Sequence, residues 1–196
     1  MRILNLPPEV TETASRQEVM RAWLDKGKLS LSLCHKFPDR YKPTIEIWAM
    51  LLSDIFHHVV DALALETKIE RPIIQEQIRT FFEEVLRSNR GSRSGALKEY
   101  NERLKELPDP DVSGDDQCVE IVRIILLEDS IRVVVRVGMW LPDNEESVWG
   151  NLLYDLIYTV ALSMKNDDLD EVREILAKKV LGYIEEPSTE YSGRYY

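Results

Sequence analysis

Asp54, His57, His58 and Asp61 have the types and spacing that could do chemistry. On one helix, at about 100° per residue, they fall within roughly a 100° arc. Aspartate and histidine four residues apart can share a divalent metal, which could serve a hydrolase or a metal-binding module. The same arc lies about 120° from the apolar stripe Trp48, Leu51, Leu52, Ile55, Val59 and Leu63, where polar residues belong in any case. A solvated or interface face is therefore the favoured reading, and a metal site its rival.

A second set is Glu18 with Arg21 and Glu120 with Arg123, polar residues on otherwise apolar stretches. Strand alternation places residues i and i+3 on opposite sheet faces, so neither pair is expected to form a site within its own strand. A buried guanidinium demands a partner, and Arg21 and Arg123 are expected to make structural pairs with Asp54 or Asp155, or with the other half of the chain. Arg87, Arg90 and Arg93, interleaved with serine and glycine, could grip an anion or an RNA backbone, but without aromatic interleaving they read as a solvated linker. No GxSxG, phosphate loop or GxGxxG occurs, so no catalytic residue and no organic cofactor is expected.

The elements that must position these residues come from an internal repeat. Leu6-Pro7-Pro8-Glu9 answers Leu107-Pro108-Asp109-Pro110, and Glu18-Val19-Met20-Arg21 answers Glu120-Ile121-Val122-Arg123. Leu29, Leu31 and Leu33 answer Val133, Val135 and Val137, and Trp48 to Asp54 answers Trp149 to Asp155. In the first copy, strands over Glu18–Leu24 and Lys28–Cys34 flank Asp25-Lys26-Gly27, a tight-turn sequence. Leucines then alternate with Ser30 and Ser32, so the leucine face belongs to the core. A helix follows, with Thr44 after Pro43 as its N-cap. Further helices are expected around Ile73 to Val85 and Val172 to Ile184, and a short charged helix over Ala96–Leu107.

The predicted fold is α+β: two tandem β-β-α-α repeats, residues 1–86 and 107–186, forming a pseudo-twofold four-stranded antiparallel sheet covered by helices. A basic linker with a short helix, 87–106, joins them, and 187–196 forms a loose tail. Ile121 to Leu127 is apolar on both faces apart from Arg123, which predicts that the second sheet face is covered too, for example by self-association.

The formal net charge of −10 argues against nonspecific binding to nucleic acid or anionic lipid. Its distribution is uneven, since residues 87–105 hold six bases and two acids. The longest apolar stretch identified, Val148–Met164, falls short of the roughly 20 residues of a membrane span. Cys34 and Cys118, far apart and without a ligand pattern, read as free thiols. A soluble, cytoplasmic protein is expected.

Leu6-Pro7-Pro8, the run Glu18 to Leu33 and Trp48 to Asp54 followed by His58 resemble a bacterial family, domain of unknown function number five-thousand-and-seventy-six. The second copy follows the pattern more loosely, lacks the glycine turn at Glu128-Asp129-Ser130 and has Thr159 where the first has His58. The resemblance implies a tandem arrangement of a single domain and transfers no activity. The expected function is a non-catalytic interaction or oligomerisation module with a protein partner or a second copy. The alternative uses Asp54, His57, His58 and Asp61 for a divalent metal.

Overall fold

A computed structural model of the chain describes residues 1–11, 13–37, 45–88, 94–113, 117–128, 130–141, 144–164 and 168–187. The expected Thr44 cap, Arg90, Arg93 and residues 188–196 of the tail lie outside them. The order is α1 (Pro8–Thr11), β1 (Gln17–Asp25), β2 (Lys28–Cys34), α2 (Ile45–Thr67), α3 (Arg71–Ser88), β3 (Ser94–Tyr100), β4 (Cys118–Leu126), β5 (Ile131–Val135), α4 (Glu145–Ser163) and α5 (Leu169–Glu185). They form two compact units, a sheet unit from residues 1–47 and 94–136 and a helical unit from 48–88 and 137–187. Each unit draws on both repeats.

The fold is mixed α+β with a five-stranded sheet in the order β3-β2-β1-β4-β5. Strands β2, β1, β4 and β5 are the expected antiparallel set, with β1 beside β4. Lys26 (φ 51) and Gly27 (φ 79) both take the left-handed conformation in the β1–β2 hairpin, as a two-residue turn between Asp25 and Lys28 requires.

The expected helix over 96–107 is instead β3, which pairs in parallel with β2 and makes the sheet mixed. Helices α2 and α3 supply the long connection that parallel neighbours need. The local signal was outweighed by sheet pairing: Ala96 N donates to Ser30 Oγ (2.9 Å), Leu97 lies opposite Leu31, and His35 N donates to Tyr100 O (2.9 Å). At Gly95 any Cβ would stand 2.2 Å from Ser30 Oγ and 2.9 Å from Leu29 O, so only glycine fits this approach.

The central strands are buried on both faces. Leu29, Leu31, Leu33, Met20 and Ala22 share one face. The opposite face, with Arg21, Trp23, Ser30 and Ser32, is overlain by the chain's own segments around Leu4 and Leu107. Ser32 Oγ donates to Pro108 O (2.6 Å), Glu18 N to Leu104 O (3.0 Å) and Arg136 Nη2 to Ile3 O (2.8 Å). That face therefore has cover without a second copy of the chain.

Within the helical unit, α4 meets α3 and α5. Gly150 sets the closeness of the α3 crossing, for a Cβ there would lie 2.6 Å from Phe81 Cβ and 2.9 Å from Phe82 N. Asp168 caps α5 by accepting from Glu171 N (2.9 Å). Among the described residues helix α2, rather than Val148–Met164, is long and apolar enough to cross a membrane. However, 78% of its most apolar window is buried, the condition of a core helix.

Candidate functional site

Glu18 and Arg21 of the first repeat meet Glu120 and Arg123 of the second at the centre of the sheet. Arg21 lies opposite Arg123 across β1 and β4, and the register slips once on each strand. The extra residues are Val19 on β1 and Ile121 on β4, corresponding positions of the two repeats. A bulge restores Glu and Arg to one face, because two residues of the bulged strand oppose one of its partner. This overturns the expectation that Glu120 and Arg123 cannot meet on their own strand. Arg123 Nε donates to Glu120 Oε1 (2.9 Å) and Arg123 Nη2 to Glu120 Oε2 (2.7 Å).

The repeats also exchange partners. Arg21 Nε donates to Glu120 Oε1 (2.7 Å), and Arg123 Nη1 to Glu18 Oε1 (3.3 Å). Leu107 N donates to Glu18 Oε2 and Leu4 N to Glu120 Oε2, both at 2.8 Å. Arg21 Nη1 reaches Leu107 O (2.7 Å) and Asp109 Oδ1 (2.6 Å), and its guanidinium carbon stands 5.1 Å from the Trp23 ring centroid. All four side chains are at most 3% exposed. Burial raises the Glu18 carboxyl above its usual range, against the opposing pull of Arg123. Burial works to lower Arg21, but the hydrogen bond and charge of Glu120 carry it upward. Two guanidinium groups and two carboxylates thus satisfy one another, which suits a structural joint.

The Asp/His set, for which a solvated or interface face was expected, sits on α2, in the helical unit, and is largely buried within the fold. His57 is 1% exposed, and Asp54 and His58 are 7% each. The cause is α5 and α3: His57 Nε2 lies 3.4 Å from Tyr183 O, and Arg71 Nη2 donates to His57 Nδ1 (3.1 Å) while Arg71 Nε donates to Asp61 Oδ1 (2.5 Å). His58 Nδ1 turns back to Asp54 O (2.7 Å). Among the described residues, no group of three or more His, Cys, Asp or Glu is placed to hold a metal ion. Asp155 is buried on α4, the counterpart of Asp54 on α2. Arg87, at the end of α3, faces Glu83 at 3.8 Å.

A site that sequence reasoning missed lies elsewhere in the helical unit. A cavity of about 660 Å³ is lined by Leu63, Glu66 and Ile69 from the end of α2 and beyond, by Gln77 of α3, by Trp140 in the turn before α4, and by Glu145 and Glu146 in its first turn. Gly138 (φ 72) turns the chain so that Gly138 N and Trp140 N each donate to Glu145 at 3.0 Å, joined by Trp149 Nε1 at 3.3 Å. Burial nevertheless raises Glu145 above the usual carboxylate range. In the sequence, Glu145 and Glu146 look like ordinary first-turn acids favoured by the helix dipole. The usable signal was that the first repeat has no acidic pair there.

Sheet, bulged charge cluster and repeated helices define an α+β protein of two diverged, interlocked domains. The family model described as Domain of unknown function (DUF5076) matches twice, over residues 3–89 and 105–189, and the chain belongs to that family. No curated protein and no solved structure matches it.

Proposed function

We propose that the chain is a non-catalytic interaction module in which two copies of one domain act as each other's partner across a pseudo-twofold sheet. The observation that supports this is the exchange at the sheet centre, where each repeat's arginine bonds the other's glutamate. Two separate chains of a single-domain relative could make the same exchange, as isologous interfaces do. Further partners, on this reading, are proteins rather than nucleic acid, because a net charge of −10 repels phosphate. The buried thiols of Cys34 and Cys118 suit a reducing cytoplasm. A protease site inserted within residues 89–93 and cut in the folded protein tests the reading. Native mass spectrometry is expected to find both pieces in one complex, and pieces that separate without denaturant sink it.

A further inference from the structure

We propose that the helical unit binds a protonated organic amine in the cavity lined by Glu66, Glu145, Glu146 and Trp140. At about 660 Å³ the cavity has the size of a small-molecule site. Three glutamates line it, with the neutral Thr67 and Gln77, and no lysine or arginine is among the described residues that line it. Glu145 is committed to the backbone of the 138–140 turn and to Trp149. Glu146 is not: it is 8% exposed and has no hydrogen bond or ion pair among the described residues. Glu146 lines the cavity and bonds no described protein group, so a cation bound there would gain a charge-assisted hydrogen bond.

The type of cation follows from the rest of the wall. The carboxylates are not grouped closely enough to hold a metal ion, since no such group of three exists among the described residues. The lining also includes Leu63, Ile69 and Trp140, which suit the carbon skeleton of an amine. Trp140, packed edge-to-face against Trp149 with ring centroids 6.1 Å apart, adds an aromatic side chain of the kind that attracts ammonium groups to the lining. The first repeat offers no acidic pair at the positions of Glu145 and Glu146, so the site is single although the domain is duplicated.

Calorimetric titration of the full chain with 1,5-diaminopentane, and with the neutral 1,5-pentanediol as its control, tests this at low ionic strength. Saturable binding of the diamine without binding of the diol is expected. Glu146→Gln should weaken the diamine about tenfold or more, the effect of losing a charge-assisted hydrogen bond. Ligand-free Glu146→Gln should melt close to the parent, because the side chain bonds no described group and the change removes only a helix-dipole contribution of under about 1 kcal/mol. Glu66→Gln, at an exposed position, should weaken binding several-fold with the fold untouched. Equal binding of the diol, undiminished binding in both variants, or no saturation by about 10 mM diamine would overturn the proposal.

Discussion

At the scale of single residues, His57 shows how surroundings decide what a titratable group can do. Burial, with Arg71 beside the ring, lowers its pKa from 6.5 to about 4 against the opposing pull of the Tyr183 carbonyl. Above pH 6.5 the ring is neutral in both folded and unfolded chains. As pH falls towards 4 the unfolded chain takes up a proton that the folded chain refuses, so this contribution is lost on acidification. The shift corresponds to as much as about 3 kcal/mol. Urea unfolding at pH 7 and pH 4.5 should show a smaller acid loss in His57→Gln than in the parent. The four buried charges of the sheet make a second expectation. Arg123→Met leaves Glu18 and Glu120 with Arg21 alone and should cost about 3–5 kcal/mol in chemical denaturation. Adding Glu120→Gln should recover part of that loss, since the two side chains act as one unit.

At the scale of elements, packing overrides local preference in both directions. Ala96 to Tyr100 reads as helix in isolation and becomes a strand, because β2 offers it a hydrogen-bonding edge and a glycine-sized approach at Ser30. Gly150 sits inside a helix, where alanine would be preferred by about 1 kcal/mol. Yet its missing Cβ is what lets α4 reach the backbone of α3 near Ile78 and Phe82. Gly150→Ala should therefore lower stability by about 1–3 kcal/mol, the usual range for overpacking. A thermal melt settles the sign, and a raised melting temperature would show that propensity wins. The repeat supports the geometry, as the matching position in α2 is the small Ala49.

At the scale of the whole chain, sequence repeats and spatial units are different divisions. The repeats follow one another, while each compact unit takes one part from each of them. This is why the cut at 89–93 is expected to leave the pieces together. β1 and β2 of the first piece remain paired with β3 and β4 of the second, and α3 with α4. The buried exchange of Glu18, Arg21, Glu120 and Arg123 reinforces that joint.

Periodicity made much of this legible without a structure. The duplication, the two hairpins, the leucine face of β2 and the four long helices follow from spacing, because period-two and helical patterns are local properties of a chain. The fifth strand was not legible, since whether Ala96 to Tyr100 extends or coils depends on an edge some 65 residues away in sequence. The meeting of Glu18, Arg21, Glu120 and Arg123 was hidden by two bulges, each of which inverts the parity that simple alternation assumes. The acidic cavity was hidden as well, because its walls come from the end of α2, from α3 and from the turn that enters α4, and only folding brings Glu66 and Glu146 to one space.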